Sequence, residues 1–295
     1  MKKVLVIVGP TASGKTSFGI KCANTFNGEI ISGDSIQIYK GLDIGSAKAT
    51  SLERQEAKHY LIDIKEPSEN YSVKEFQEKG RELIDSITNE NKLPIIVGGT
   101  GLYIKALLYD YVFFAEDEKD NPYDELSNED IYNILKEKDP KALEKIHINN
   151  RKRLVRALNI LDKHQEGISS IKDKQEHKML YDAKIIGLTC DRDKLYKKVE
   201  DRIDAMINDG LIKEIEGLLK QGITFDNQAM QAIGYKEFKP YFNNEKTLEE
   251  CINEVKRNTK HFVKRQYTWF NNQMPINWYE NTDEALKEIK EWINI

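Results

Sequence analysis

Cysteine is scarce in this sequence, and long apolar runs are missing altogether. The three cysteines, Cys22, Cys190 and Cys251, are far apart and form no CxxC pair. This spacing argues against a disulfide framework and against a zinc site, and it fits the reducing cytoplasm. No run approaches the roughly 18 apolar residues of a membrane-spanning helix. We therefore expect a cytoplasmic protein without a membrane partner.

The sequence also has neither an extreme net charge nor a low content of hydrophobic residues. Of the 295 residues, 39% are hydrophobic and 32% are charged, which is typical of a soluble globular protein. This length allows one large core, or a core domain with a smaller domain attached. The net charge is -4, so a nucleic-acid-binding surface would need basic residues that are clustered on one face.

Short β-branched runs alternate with amphipathic stretches in the first 108 residues. The run Val4–Val8, which ends at Gly9, predicts a strand that is buried on both faces of a parallel sheet. Alternating strands and helices indicate an α/β fold with right-handed crossovers. Further strands are predicted at 29–32 and 94–97, and helices at 15–26, 72–88 and 100–108.

A phosphate-binding loop follows the first predicted strand. Residues 9–16 fit the GxxxxGK[ST] pattern completely, and they lie between a strand and a helix, as the motif requires. The backbone N–H groups of such a loop and the N-terminus of the helix attract phosphate. Lys15 adds a positive charge, and the Thr16 hydroxyl can bind Mg²⁺. The predicted diphosphate-binding residues are Gly9, Pro10, Thr11, Ala12, Ser13, Gly14, Lys15 and Thr16.

This P-loop does not specify its substrate. The sequence has no NKxD motif for guanine and no apolar run that ends in Asp-Glu, which leaves small-molecule kinases and unusual transferases. Asp34 follows the second predicted strand, at the ligand crevice of an open α/β sheet. A carboxylate there can bind Mg²⁺ through water or act as a general base, or it can simply form a turn.

The composition changes after residue 115. Acidic residues outnumber basic ones in 116–147, and basic residues outnumber acidic ones in 148–182. Both stretches have helical patterns. We predict a P-loop NTPase-like parallel-sheet core at 1–115 and 183–295, with a helical C-terminal region, and a helical insert domain at 116–182. A strand is predicted at 184–189, and helices at 126–135, 140–146, 149–163, 193–208, 211–221, 231–238 and 247–270.

Eight sequence blocks extend the argument beyond the P-loop. They are GPTASGKT (9–16), GDSIQIYKGLDIGSAK (33–48), HYLIDI (59–64), GGTGLYIKALL (98–108), NNRKRLVRAL (149–158), DRIDAMINDGLIKEI (201–215), QAIGYKE (231–237) and KRQYTWF (264–270). In this order they resemble the bacterial type of tRNA dimethylallyltransferase, the tRNA isopentenyltransferase family. The resemblance spans nearly the whole chain, although each block other than the P-loop is weak on its own.

The resemblance implies a reaction and a set of roles. A dimethylallyl group would pass from dimethylallyl diphosphate to N6 of adenosine 37 in a tRNA, with Mg²⁺ as the cofactor and diphosphate as the product. The P-loop and Arg202 would bind the diphosphate, Asp34 would be the general base, and Thr100 would lie beside the adenosine. The protein is expected to be a monomer. The implied catalytic residues are Asp34, Lys15, Thr16, Thr100 and Arg202, and the implied tRNA contacts near them are Asp34, Ser35, Ile36, Gln37 and Thr100.

A basic helix face lies in the predicted insert. Arg153 and Arg156 are three residues apart, next to Lys152, while Leu154 and Leu158 belong to the opposite, core-facing stripe. Charged helix faces are usually only solvated, but this one interrupts an acidic chain and matches a family block. We therefore predict that Lys152, Arg153 and Arg156 bind tRNA.

A second basic face is predicted on the last long helix. Lys256, Lys260 and Lys264 are spaced by four residues, so they share one side of the helix. Aromatic residues close this helix. They could stack on bases, but buried aromatics at a helix end are commoner, so we expect Trp269 and Phe270 to belong to the core.

Three departures from the family pattern concern the RNA contacts. Asn271 stands where an arginine commonly follows Trp-Phe. The insert is shorter than usual between 116 and 139, and Asp124 stands near the usual position of a basic residue. The block 231–237 matches the family but has no clear physical role.

Three alternative functions remain open at this point. A P-loop kinase of a small metabolite would share the fold and Asp34, but the blocks after residue 149 would be unexplained. An adenine-nucleotide prenyltransferase would have less use for a helical insert and two basic faces. A non-catalytic tRNA-binding module would not need Lys15, Thr16 and Asp34.

Overall fold

The computed structural model describes residues 1–111, 113, 123, 125–164, 167–173 and 177–294. The chain forms two compact units, one of Met1–Leu108 with Met179–Ile295 and the other of Tyr109–Lys178. The predicted insert, 116–182, begins seven residues later and ends four residues later than the second unit, and its assignment as a domain stays a prediction. Residue 116 and Asp124 lie outside the described residues.

The first unit is built on a parallel sheet. Its strands are β1 (Lys3–Val8), β2 (Gly28–Ser32), β3 (His59–Tyr60), β4 (Leu93–Gly98), β5 (Asp182–Leu188) and β6 (Asn277–Tyr279), in the order β3-β2-β4-β1-β5-β6. Val6 of β1 pairs with Ile96 of β4 on one side and with Ile185 of β5 on the other. The apolar run of β1 is fully buried, as expected of a strand covered on both faces. The predicted α/β fold is confirmed.

Helices connect the strands and make up most of the C-terminal region. They are α1 (Lys15–Thr25), α2 (Ser51–Glu56), α3 (Val73–Asn89), α4 (Gly101–Leu108), α5 (Asn128–Lys138), α6 (Pro140–Leu143), α7 (Arg151–His164), α8 (Ile168–Asp173), α9 (Arg192–Asn208), α10 (Leu211–Lys220), α11 (Lys239–Phe242), α12 (Leu248–Gln273) and α13 (Thr282–Ile293). Apart from 231–238, the predicted helices agree with these bounds to within three residues. None of the described helices is long and apolar enough to cross a lipid bilayer.

Capping boxes begin two of the longest helices. The Ser72 side chain accepts a hydrogen bond from the N–H of Glu75, whose carboxylate accepts one from the N–H of Ser72, at the start of α3. Thr247 and Glu250 make the same reciprocal pair at the start of α12. Each pair satisfies N–H groups that have no partner within the helix, so these short motifs fix where the helices begin.

The main core lies between the sheet and the helices α1 and α13. Leu5 and Ile7 of β1 belong to one buried apolar cluster with Phe18 of α1 and with Ala285 and Ile289 of α13. Burial of these side chains is the main favourable term in folding. The packing also holds the start of α1, and the loop before it, at the end of β1.

The predicted helix at 231–238 is wrong. Two short 3-10 helices, Gln228–Gln231 and Lys236–Phe238, take its place. Between them Gly234 has a φ of 96°, a left-handed conformation that a helix does not contain. The elements α2, α8, α11, α13, β3 and β6 were not predicted. Strands of two and three residues, such as β3 and β6, are too short for a periodicity to appear.

The second unit is a small group of helices, α5 to α8. Leu135 of α5 packs with Leu154 and Leu158 of α7, and all three are buried. Arg151, at the start of α7, donates hydrogen bonds to backbone carbonyl oxygens of the segment that precedes α5. The apolar stripe of α7 therefore faces the core of its own unit, as the sequence predicts.

Candidate active site

A cavity of about 1140 Å³ opens in the first unit at the carboxyl ends of three strands. β1 leads into the P-loop, β2 into Asp34 and β4 into Thr100, and all three segments line the cavity. Arg202 of α9 and Gln266 of α12 also line it. Ligands of open α/β sheets bind at this edge. The structure thus brings the five predicted catalytic residues to one cavity.

Two glycines give the P-loop its shape. Gly9 has a φ of 154°, and a Cβ atom there would lie 2.6 Å from the carbonyl oxygen of Leu188. Gly14 has a φ of 85° immediately before α1. Both positions therefore need a residue without a side chain. The P-loop residues that line the cavity are Thr11, Ala12, Gly14, Lys15 and Thr16, while Gly9, Pro10 and Ser13 complete the loop.

Lys15 is held at the cavity by its own loop. Its Nζ donates a hydrogen bond of 2.6 Å to the carbonyl oxygen of Pro10. Burial, and to a lesser extent the charge of Arg202, lower the pKa of Lys15 to about 7, although the charge of Asp34 opposes both effects. An anion that enters the cavity would favour the protonated amine, so the site is suited to a negatively charged ligand.

Arg202 brings a second cation to the same place. Its Nη1 donates a hydrogen bond of 3.3 Å to Oγ1 of Thr11 in the P-loop. Burial lowers the pKa of Arg202, and the charge of Asp34 opposes that shift. A guanidinium nevertheless stays protonated in proteins. Two cations that repel each other, as Lys15 and Arg202 do, make a strong site for a polyanion such as diphosphate.

Asp34 forms a turn and also takes part in the charge cluster. Its Oδ1 accepts hydrogen bonds from the backbone N–H groups of Ile36, at 2.8 Å, and Gln37, at 3.3 Å. The turn that the sequence allowed as an alternative is therefore present. Both described hydrogen bonds of this carboxylate go to Oδ1, which leaves Oδ2 to interact with a ligand.

Thr100 lies close to the Asp34 segment because β2 and β4 end side by side. A Cβ atom on Gly98 would lie 2.3 Å from the carbonyl oxygen of Gly33, so only glycine permits this approach. Oγ1 of Thr100 is 3.5 Å from Oγ of Ser35. The Thr100 carbonyl accepts hydrogen bonds from N–H groups in the first turn of α4. Thr100 is thus both the residue that begins α4 and a wall of the cavity.

Glu214 and Tyr235 support the loop that follows Asp34, and the sequence analysis missed both. The carboxylate of Glu214 accepts hydrogen bonds from three successive backbone N–H groups, those of Asp43, Ile44 and Gly45, at 2.9, 2.7 and 3.2 Å. It also accepts one from the hydroxyl of Tyr235 at 2.7 Å. This gives the block 231–237 a physical role, because Tyr235 fixes the carboxylate that fixes the loop.

Gln37 connects that loop to the sheet. Its Oε1 accepts a hydrogen bond from Oγ of Ser32, at the end of β2, and its Nε2 donates to the carbonyl oxygen of Ala47, each at 3.1 Å. The loop from Asp34 to Ala47 is therefore tied at both ends, and its side chains Ser35, Ile36 and Gln37 line the cavity.

The oxygen groups at the cavity suit a hard divalent cation that arrives with a phosphate. Thr16 and Asp34 both line the cavity. In the part of the chain that the structure describes, no group of three or more histidine, cysteine or carboxylate side chains could hold a metal by itself. Mg²⁺ is commonly bound by one or two protein oxygens together with phosphate oxygens and water, so these residues fit such an ion.

The two predicted basic faces differ in structure. On α7, Lys152, Arg153 and Arg156 are exposed, as an RNA-binding face requires. On α12, Lys256 and Lys260 form ion pairs with the acidic residues Asp204 and Glu200 of α9.

Ion pairs between helices therefore account for part of the lysine pattern on α12. At the end of that helix, Phe270 is fully buried, as predicted. Trp269 is only half-buried, and it packs against Gly101, so its predicted place in the core is only partly correct.

Residues 37–273 match the model of a protein family described as IPP transferase. A tRNA dimethylallyltransferase from Anoxybacillus flavithermus is 47% identical over 290 residues, which cover 97% of this chain and 93% of the relative. A second, from Bacillus anthracis, is 48% identical over 301 residues, which cover 99% of this chain and 95% of the relative.

Solved structures agree with these relatives. A tRNA delta(2)-isopentenylpyrophosphate transferase from Staphylococcus epidermidis matches with a TM-score of 0.75 and 40% identity, over 100% of this chain and 99% of that one. A eukaryotic dimethylallyltransferase acting on tRNA matches with a TM-score of 0.88 and 28% identity, over 100% of this chain and 80% of that one. The chain therefore belongs to the IPP transferase family, as its eight sequence blocks predict.

Proposed function

We propose that this enzyme transfers a dimethylallyl group from dimethylallyl diphosphate to N6 of adenosine 37 in tRNA and releases diphosphate. The observation that carries the proposal is the single cavity in which Lys15 and Arg202 lie near Asp34 and Thr100. The names of the relatives support it. The enzyme would act as a monomer in the cytoplasm, where its tRNA substrate is found.

Stabilisation of the leaving group is the first task of the site. When the C–O bond of the allylic diphosphate breaks, the electron pair stays on diphosphate. Lys15, Arg202 and the P-loop N–H groups provide fixed positive charge and hydrogen-bond donors for that developing charge. Thr16 would hold Mg²⁺ together with diphosphate oxygens, where the ion adds positive charge next to the leaving group.

Proton removal is the second task. The exocyclic amine of adenine is a poor nucleophile because its lone pair is delocalised into the ring. As N6 forms a bond to the allylic carbon, it must lose one proton. Oδ2 of Asp34 is suited to accept that proton, because the turn bonds to Oδ1 fix the orientation of the carboxylate.

Recognition of the tRNA is the third task. Adenosine 37 is stacked in the anticodon loop, so it must leave the stack, at a cost of a few kcal/mol, to enter a cavity. Thr100, Ser35, Ile36 and Gln37 would contact the extruded nucleotide. Lys152, Arg153 and Arg156, on the exposed face of α7, would bind tRNA phosphates and help to offset that cost.

The test is transfer of labelled dimethylallyl diphosphate, with Mg²⁺, to unmodified tRNA that carries adenosine at position 37. Label in this adenosine, and none when guanosine replaces it, is the expected result. Label in free AMP or ADP but not in tRNA would instead identify an adenine-nucleotide prenyltransferase. Absence of transfer to either, together with phosphate transfer from ATP, would identify a kinase.

A further inference from the structure

Gln266 links the two halves of the proposed site. This α12 residue is only 6% exposed, although its side chain is polar. Its Oε1 accepts a hydrogen bond from the N–H of Thr11 at 3.1 Å, and its Nε2 donates one to the carbonyl oxygen of Gly99 at 3.0 Å. Thr11 belongs to the P-loop, and Gly99 directly precedes Thr100. One side-chain amide therefore joins the P-loop side of the cavity, where the prenyl donor would bind, to the Thr100 side, where the acceptor base would lie.

The chemistry of this bridge requires an amide. The position needs an acceptor towards Thr11 and a donor towards Gly99, and a neutral amide supplies both at once. An ionised glutamate could accept from Thr11 but could not donate to Gly99, and methionine could do neither. The fit is also close, because a Cβ atom on Gly99 would lie 2.4 Å from Nε2 of Gln266.

Each end of the bridge continues to a residue of the proposed mechanism. Thr11 accepts a hydrogen bond from Arg202 through Oγ1, so the P-loop end of the bridge adjoins a cation of the diphosphate site. On the other side, Oγ1 of Thr100 lies 3.5 Å from Ser35, the neighbour of Asp34. Reacting atoms must be held about 3 to 3.5 Å apart with correct alignment for efficient transfer.

We propose that Gln266 is a positioning residue, which sets the distance between the bound diphosphate and the acceptor base. This inference rests on the proposed prenyl transfer. Gln266 contacts backbone on both sides, so it acts through the P-loop and the Gly99 turn. Its loss is expected to disturb alignment more than binding, because Lys15 and Arg202 still hold the diphosphate.

The test compares Gln266→Met with the wild type in steady-state transfer to tRNA. Methionine has a similar length, so the packing of α12 is retained while both hydrogen bonds are lost. We expect kcat to fall about 10²-fold, the size of effect that a 1 Å misplacement produces, while KM for dimethylallyl diphosphate changes by about threefold or less. The matched control is Gln273→Met, an exposed glutamine on the same helix that accepts a hydrogen bond from Lys105, and it should retain wild-type kcat.

A second variant keeps the test decisive. Gln266→Glu preserves the size of the side chain and the acceptor for Thr11, but it loses the donor to Gly99 and adds a negative charge beside the P-loop, so we expect kcat to fall here too. Thermal unfolding would show that each variant is folded. Wild-type kcat in both folded Gln266 variants would overturn the inference and leave the proposed function intact. A rise in KM for dimethylallyl diphosphate in the two Gln266 variants, with no change in kcat, would also overturn it. A wild-type chain that transfers no prenyl group would overturn the proposed function and this inference with it.

Discussion

Replacement of Asp34 by asparagine would separate the two roles of this side chain. Asparagine keeps a carbonyl oxygen where Oδ1 accepts the N–H groups of Ile36 and Gln37, so the turn should survive. The amide cannot take a proton from N6. We expect turnover at saturating substrates to fall about 10² to 10⁴-fold, the usual contribution of general base catalysis, which corresponds to about 3 to 5 kcal/mol of activation free energy.

The same change also affects Lys15, and the assay must separate the two effects. Burial and the charge of Arg202 lower the pKa of Lys15, whereas the charge of Asp34 raises it. Without that carboxylate the pKa falls below about 7, so at neutral pH less of Lys15 is protonated and dimethylallyl diphosphate binds more weakly. Single-turnover transfer with saturating dimethylallyl diphosphate removes this binding effect and measures the chemical step alone.

A companion variant, Asp34→Ala, removes the turn as well as the base. Loss of two hydrogen bonds should lower the free energy of unfolding by about 1 to 3 kcal/mol, measured by thermal or denaturant unfolding, whereas Asp34→Asn should unfold like the wild type. Turnover of Asp34→Asn within a few-fold of wild type would refute the general base. Equal losses of tRNA affinity and turnover would refute it too, because a base acts on the chemistry and not on binding.

Three further predictions concern charge and loop support. In the variant Lys15→Arg the arginine stays charged from about pH 6 to about pH 8, whereas Lys15 of the wild type loses its proton over this range. The affinity of the wild type for inorganic diphosphate, divided by that of the variant, should therefore fall as the pH rises; a constant ratio would contradict the low pKa of Lys15. Arg153→Glu should weaken tRNA binding and reduce its salt dependence by about one phosphate contact, and an unchanged salt slope would mean that this face of α7 does not bind RNA. Tyr235→Phe removes the hydrogen bond to Glu214, so it should lower the free energy of unfolding by about 1 kcal/mol and raise KM for tRNA more than KM for dimethylallyl diphosphate; equal changes in the two KM values would speak against a role for this contact in the acceptor loop.

The parts of the site that follow strand ends could be predicted from the sequence. The P-loop, Asp34 and Thr100 each come directly after a predicted strand, and parallel strands place their carboxyl ends at one edge. Local patterns were enough to find those strands, because β1 and β4 are apolar runs, β2 is a short segment with two isoleucines, and a glycine follows each of the three strands. The family blocks added Arg202, which no local pattern distinguishes from a surface residue.

The lysines of α12 show where such patterns fail. Their spacing by four correctly indicated a shared helix face, but the pattern contains no information about the neighbouring helix. In the structure Lys256 and Lys260 meet Asp204 and Glu200 of α9, which are themselves four residues apart. Complementary spacing on two helices is the sequence feature that would have indicated ion pairs, and it can be recognised only when the two helices are known to be neighbours.

Gln266 and Glu214 were missed for a deeper reason. Gln266 bonds to a residue 255 positions away, and Glu214 bonds to a loop about 170 positions away, so neither has a local signal. Both use a polar side chain to satisfy backbone groups of an irregular loop. Loops beside a ligand cavity cannot satisfy those groups through a sheet or a helix, and a group left without a partner is costly. An irregular, ligand-binding loop therefore requires polar partners from elsewhere in the chain, and residues such as Gln266 become identifiable only when the loop they support has been located.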